Sequence, residues 1–524
     1  MQIDARPVAA ALDFEARTRT AVVVLIAATT LLRLVFAASL GLGIDEAYTV
    51  ATSRQLQMSY FDHPPLAWWL TWVMRTLTGS ESALAVRFPF VAAFALTTWF
   101  TYSLARLLYG LRAGLWAAIA VNLPPVIAWT SGTWVLPDGP LYAALTGGAY
   151  AVARVLFVPR QSPLLWLAAG AAAGLAMLSK LHGVFLLGGV FLFLLTAPRY
   201  RFWLLSPWPY AGALLALAIF SPVLLWNAEH HWISFTFQAA RGQVRRLAPA
   251  GLVQVVGGQM AYLLPLVWAT LVVLWIRALR AGPAQARDWL LVCLASGPVV
   301  LFTISGLWAG KVLPHWAAPG YLMLFPLVGR ELARALALSH RWAQWWIGLC
   351  AGTTAVLIVA VLALAHLPWP AVALAGKALP DPLIETIDWH DVPRELSHRG
   401  LLARHDVVVV SPRWHEAGKL AVALDGLAPV LCLSDDPRGF GVNIRAADFI
   451  GRDAVVIGTG LDLAAVQGLY GRYFDRIEEA APITLTRAGR PAATARVFRA
   501  QRLHASGQAP DLLDPYGVWS RGRP

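Results

Sequence analysis

Apolar residues in this chain come in long runs separated by short polar stretches. Runs lie near 21–40, 86–108, 114–130, 139–157, 163–179, 183–197, 207–226, 251–276, 289–306, 316–329 and 343–366. Most approach the roughly 20 residues with which an α-helix crosses a hydrocarbon core of about 30 Å. They predict about eleven transmembrane helices, an all-α polytopic membrane domain over 21–369, preceded by a cytoplasmic N-terminal segment at 1–20. The first run, Ala21 to Leu40, is longer than a signal-peptide core. No small-residue cleavage pattern follows it closely, so it reads as an uncleaved span.

The pattern changes from about Leu379. Charges, proline and glycine increase, and short apolar runs at 406–410, 429–433 and 454–457 are separated by candidate helices near 417–424 and 463–473. Buried strands alternating with helices predict a small α/β domain over 370–505, followed by a loose tail at 506–524. No glycine-rich loop follows any of these strands in the way nucleotide binding requires. The stretch Ser411-Pro412-Arg413-Trp414-His415-Glu416 reads either as an acceptor contact or as an ordinary surface loop.

Composition supports a membrane protein: 58% of residues are hydrophobic and 14% charged, against about 25% charged in soluble domains. The 42 Lys+Arg exceed the 29 Asp+Glu, for a formal charge of +13. In a soluble chain that excess would point to nucleic acid. Here much of it sits as arginine in every second loop (Arg106 and Arg112; Arg154 and Arg160; Arg199 and Arg201; Arg277, Arg280 and Arg287; Arg330, Arg334 and Arg341), so no nucleic-acid partner is expected. The bias makes those loops cytoplasmic. The alternate loops and the α/β domain are then extracytoplasmic, on the periplasmic side of a cytoplasmic (inner) membrane. Of three cysteines, Cys293 and Cys350 lie in apolar runs and Cys432 in the C-terminal region, so neither a disulfide framework nor a cysteine metal site follows.

Ionisable residues nevertheless gather in the outer loops: Asp45, Glu46, Asp62, His63, Asp138, Lys180, His182, Glu229, His230, His231, Arg241, Arg245, Arg246, Lys311 and His315. Such groups near hydrocarbon are costly unless paired or functional, so this face is the expected place for chemistry. The first outer loop, 41–85, opens with Asp45-Glu46-Ala47-Tyr48 and runs through Ser59-Tyr60-Phe61-Asp62-His63-Pro64-Pro65. It continues into Leu66-Ala67-Trp68-Trp69-Leu70-Thr71-Trp72, an amphipathic interfacial helix by pattern. Asp45 and Glu46 read as catalytic acids or as solvated loop charges, and Asp62 as an acceptor-side group or a helix cap. Asp138 precedes an apolar run and reads as an N-cap or as an acceptor-binding carboxylate. Lys180 reads as a residue snorkelling to headgroups. The adjacent His230 and His231 do not make a facial metal-ligand set. Arg241, Arg245 and Arg246, with Lys311 and His315, would hold a phosphate headgroup or attract anionic lipids in general.

Carboxylates and fixed cations at one bilayer edge suit one reaction. A sugar linked through phosphate to a lipid already carries a good leaving group. Cations must stabilise the departing phosphate, and one carboxylate must take the proton of the incoming hydroxyl. A transporter or flippase of a lipid-linked or anionic substrate is the second reading and a polymer-assembly scaffold the third. No inverted repeat and no matching pair of broken spans favours transport.

Asp45-Glu46, Ser59 to Leu66, Val86-Arg87-Phe88-Pro89, Leu136-Pro137-Asp138-Gly139-Pro140 and Pro222 to Asn227 together resemble the bacterial dolichyl-phosphate-mannose protein mannosyltransferase superfamily, to which lipid A aminoarabinose transferases are related. The resemblance implies a type-C glycosyltransferase fold, a polyprenyl-phosphate-linked sugar donor, an extracytoplasmic acceptor that is lipid, glycan or protein, and inversion at the anomeric carbon. It places the catalytic carboxylate at Asp45 with Glu46 beside it. Tyr48, Asp62 and Asp138 fall to the acceptor side, and His63, Arg241, Lys311 and His315 to the lipid phosphate. In the aminoarabinose branch a lysine stands where this chain has His63, so Lys311 or Arg241 is left to supply the fixed charge. That branch associates the acid at the Asp62 position with a metal. No cofactor is required by the sequence; a divalent metal is compatible with it, but no metal-ligand spacing supports one here.

Overall fold

The computed structural model describes residues 6–242, 247–308, 312–367, 373–374, 377–378, 381–402, 406–507 and 511–520. The N-terminal two-thirds is helical: α1 (Arg6–Ser39), α2 (Ile44–Ser53), α3 (Leu66–Thr78), α4 (Ala83–Tyr109), α5 (Leu111–Val121), α6 (Asp138–Phe157), α7 (Leu165–Ser179), α8 (Val184–Thr196), α9 (Pro207–Glu229), α10 (Ile233–Arg241), α11 (Pro249–Leu263), α12 (Pro265–Ala281), α13 (Ala286–Ile304), α14 (Ala318–Leu322), α15 (Phe325–Ala337) and α16 (Arg341–His366). Aliphatic side chains such as Leu31 on α1 and Val356 on α16 face outward, as they would toward hydrocarbon. Phe94, Leu145, Phe193 and Leu291 fill the interior.

Among the described residues, six helices are long and apolar enough to cross a membrane, and seven if α8 and the turn Pro198–Leu205, bent by 116°, act as one span. The expected count of about eleven is not confirmed by these helices. Helices α5 and α7 are apolar but only 11 and 15 residues long. The 251–276 run is two helices, because Pro265 has no backbone N–H to continue α11 and Leu264 before it turns through φ +67. The 316–329 run is likewise divided between α14 and α15. Where α7 crosses α9, a Cβ on Gly170 would stand 2.1 Å from the Gly212 carbonyl oxygen, so only glycine permits this backbone approach.

The C-terminal part contains β1 (Ala373–Leu374), β2 (Lys377–Ala378), α17 (Asp391–His398), β3 (Val408–Ser411), α18 (Trp414–Leu424), β4 (Val430–Cys432), α19 (Gly439–Asn443), β5 (Ala454–Thr459), α20 (Leu463–Tyr470), β6 (Phe474–Arg487) and β7 (Arg490–Leu503). Its five-stranded sheet has the order β4-β3-β5-β7-β6, with β3 parallel to β4 and β5. Strand β7 runs antiparallel to β5 and β6. The three apolar runs are the buried parallel strands, as the pattern predicts. The long β6–β7 hairpin was not expected, since charged residues such as Glu478 and Arg499 interrupt both strands on exposed positions. The tail is a correction. Residues 511–520 pack with Leu512, Leu513 and Val518 buried, and Trp519 Nε1 donates to the Gly441 carbonyl at 3.0 Å.

This sheet domain sits directly on the segment that follows α1. A Cβ on Gly418 of α18 would lie 2.7 Å from Tyr48 N and 2.8 Å from Tyr48 Cα, which brings α18 onto α2. Buried Lys419 donates to the carbonyls of Leu42 and Ile387, the latter at 3.0 Å. Arginines from alternate loops collect at the other end of the bundle, where Arg330 pairs with Asp288 at 2.6 Å and Tyr109 donates to the same carboxylate.

Candidate active site

Helix α2 separates two carboxylates that are neighbours in sequence. Successive helical residues point about 100° apart, so Glu46 turns inward and Asp45 outward. Glu46 is fully buried: its Oε1 and Oε2 take Arg87 Nε and Nη2 at 2.8 and 2.5 Å, and also the N–H groups of Val135 and Gly43 at 2.9 and 2.7 Å. Arg87 spends its other donors on the carbonyls of Ala37, Leu40 and Gly41, capping α1. Burial opposes the Glu46 charge, but Arg87 and the two backbone donors hold its carboxyl below the usual value. Both oxygens of Glu46 are thus engaged by protein donors.

Asp45 is reachable by water yet walled in by protein, and that desolvation pushes its carboxyl up to about 6. Arg438 opposes the rise most strongly, while Asp62, Glu385 and Glu46 add to it. Tyr48, one turn further along α2, is buried against Trp68, Trp414 and Phe440, with ring centroids at 6.3, 5.3 and 6.0 Å. Its hydroxyl donates to Asp62 Oδ1 at 3.1 Å and accepts the Gly439 N–H at 2.9 Å. Asp62 does not cap α3, whose N-cap is Pro65. Its Oδ2 pairs with Arg438 Nη1 at 3.1 Å.

Asp138 is the first residue of α6, but its carboxylate receives Lys180 Nζ on both oxygens at 3.0 Å in a buried pair. Lys180 is therefore an interior cation and not a snorkelling one. His63 lies within electrostatic reach of Asp62, Lys180, Asp138 and Arg241, and His315 of Lys180, Asp138, His63 and Arg241. Burial pushes each imidazole down to about 4, so both are neutral at pH 7. Arg241 lies over Phe237 and Trp316, 5.6 and 5.3 Å from the ring centroids. Lys311, Arg245 and Arg246 lie outside the described residues.

The fold thus brings Asp45, Tyr48, Asp62, His63, Asp138, Arg241 and His315 into one region. Sequence reasoning missed Arg438, Trp414 in its site role, and Phe440, all from the C-terminal sheet domain. The one available signal is position: Arg438 lies between Pro437 and Gly439 in the loop after β4, and loops at strand ends commonly carry function. Among the described residues no group of three or more His, Cys, Asp or Glu side chains is arranged to hold a metal ion. Asp62, the acid linked to a metal by resemblance, is occupied by Tyr48 and Arg438.

Residues 62–226, which carry Asp62, His63, Asp138 and Lys180, match the family model of dolichyl-phosphate-mannose-protein mannosyltransferase. Over this segment the chain is similar to that family. The superfamily resemblance read from the sequence is borne out. The lipid A galacturonosyltransferase RgtD of Rhizobium johnstonii is 24% identical over 307 residues, which cover 53% of this chain. The chain spans 58% of the length of that curated relative. ArnT from Cupriavidus metallidurans has the same fold: its apo structure superposes with a TM-score of 0.62 at 14% identity, covering 91% of this chain and 97% of ArnT. Its structure bound to undecaprenyl phosphate gives 0.61 at 17% identity with the same coverage.

Proposed function

We propose that this protein is a membrane glycosyltransferase that moves a sugar from a polyprenyl-phosphate donor to an extracytoplasmic lipid, glycan or protein acceptor, with inversion. The observation that carries the reading is the placement of Asp45: a water-accessible carboxylate with its pKa raised to about 6, set within electrostatic reach of the cations Arg438 and Arg241. A base near the working pH is ionised yet still able to hold a proton. The match of residues 62–226 and the ArnT fold support the donor class.

In this reading Asp45 takes the proton of the acceptor hydroxyl as its oxygen attacks the anomeric carbon from the side opposite the phosphate. The bond from that carbon to the phosphate oxygen breaks, and its electron pair leaves with the polyprenyl phosphate. Cations stabilise the departing charge without needing to protonate it. A single displacement inverts the centre. Tyr48, Asp62 and Asp138 shape the acceptor side, and His63 and His315 add neutral hydrogen-bonding groups around the phosphate.

The test is to incubate the purified protein in nanodiscs with a radiolabelled polyprenyl-phosphate sugar and extracted envelope acceptors. Labelled product with stoichiometric free polyprenyl phosphate is expected. Movement of intact donor between leaflets without bond cleavage would remove the transferase reading.

A further inference from the structure

Two guanidinium groups from distant parts of the chain share one aromatic ring. Arg241, at the end of α10, and Arg438, in the loop between β4 and α19, each place the guanidinium carbon 5.6 Å from the centroid of Phe237. Bringing like charges to one partly buried ring is unfavourable unless an anion is held between them. Asp62 meets only part of that need. It takes Arg438 Nη1 at 3.1 Å, while the buried Arg438 Nε has no hydrogen-bond partner and only a looser ion pair with Asp436 Oδ2 at 3.8 Å. Arg241 makes no ion pair with an acid among the described residues, although Asp62, Asp45 and Asp436 lie within electrostatic range.

Arg438 is also held more firmly than a surface arginine. Its guanidinium stacks on Trp414 with the carbon 3.9 Å from the ring centroid, and its backbone N–H donates to Tyr516 Oη at 2.9 Å. Its φ of +48 is one that side-chain-bearing residues seldom adopt. Backbone strain retained by surrounding contacts is a mark of functional positions. A rigid planar fork with unused donors matches a phosphate oxygen pair.

We propose that Arg241 and Arg438 are the two jaws of a phosphate clamp, so that the C-terminal sheet domain completes the anion site of the membrane domain. The inference rests on the transferase reading for its role. Its ligand chemistry is a phosphate ester, supplied either by the polyprenyl donor or by a phosphate carried on a glycolipid acceptor. When the anion binds, Arg438 keeps Nη1 on Asp62 and turns its remaining N–H donors to the phosphate. The acid network around Tyr48 thereby becomes coupled to donor or acceptor occupancy.

The experiment uses full-length protein in nanodiscs and measures equilibrium binding of two probes, a sugar-free polyprenyl phosphate and a glycolipid bearing a phosphate monoester. Arg438→Gln and Arg241→Gln are each expected to weaken one probe by about tenfold or more, the size of a lost charge-assisted contact. Arg438→Lys should recover part of that loss, because it keeps the charge and the Asp62 pair while losing the fork. The probe that responds identifies the source of the phosphate. If Arg438→Gln has lost its cooperative thermal transition, Arg438→Lys decides, and wild-type affinity for both probes in that variant overturns the clamp. Unchanged binding of both probes in a folded Arg438→Gln overturns it as well. Sugar transfer by wild type with such unchanged binding sinks the clamp alone, whereas Arg438-dependent binding without any transfer sinks the transferase reading alone.

Discussion

Glu46 and Arg87 form a two-point ion pair at 2.5 and 2.8 Å with neither side chain open to solvent. The pair joins the C-terminus of α1, the start of α2, the body of α4 and the backbone at Val135. Removing one partner leaves the other charge buried. Glu46→Ala is expected to destabilise the protein by about 3–5 kcal/mol, read as a lower melting temperature in detergent. Because the Glu46 carboxyl is held below its unfolded value, its contribution is present above that unfolded value. It is lost as pH falls through the folded one.

Asp45→Asn should leave the fold and donor binding intact and cut turnover by about 100- to 10,000-fold, the range supplied by a positioned base. Wild-type turnover should rise with pH through about 6. Full turnover by the variant would dismiss Asp45 as the base.

The same residue makes a stability prediction of opposite sign. Desolvation raises the folded carboxyl from 3.8 to about 6, so its protonation favours folding below the unfolded value. That advantage disappears as pH rises through about 6. Asp45→Asn should therefore melt higher than wild type at pH 7.5, and the difference should vanish near pH 4. Differential scanning fluorimetry at the two pH values checks this.

The buried Asp138–Lys180 pair invites a double-mutant cycle. Asp138→Leu or Lys180→Met alone should cost about 3–5 kcal/mol, while the two together should be close to neutral. If Lys180 also serves the anion site, the stable double variant will still lose donor affinity. Retained affinity would make the pair purely structural.

Gly418 controls how the sheet domain seats on α2. A methyl group there meets backbone atoms of Tyr48 at 2.7 and 2.8 Å, which cannot rotate away. Gly418→Ala should cost about 1–3 kcal/mol as an overpacked contact and should expose the C-terminal part to limited proteolysis. Turnover should fall with it, since Arg438 and Gly439 reach Asp62 and Tyr48 through that docking.

The apolar runs, the three buried strands and the acids and bases gathered in alternate loops were legible in the residue string, because these are local properties of composition and period. The string also carried the segment, with Asp62, His63 and Asp138, that matches the mannosyltransferase family model. Tertiary structure alone decided which of two adjacent acids is buried against Arg87 and which faces water, since helical geometry separates neighbours that look equivalent in a string. It decided that Lys180 is an interior partner of Asp138, and that burial lowers the pKa of His63 and His315, because burial is set by what packs around a residue. It also delivered Arg438 to Asp62 across 376 positions. No local pattern encodes that meeting, which depends on α18 docking against α2 through a glycine whose missing side chain makes room.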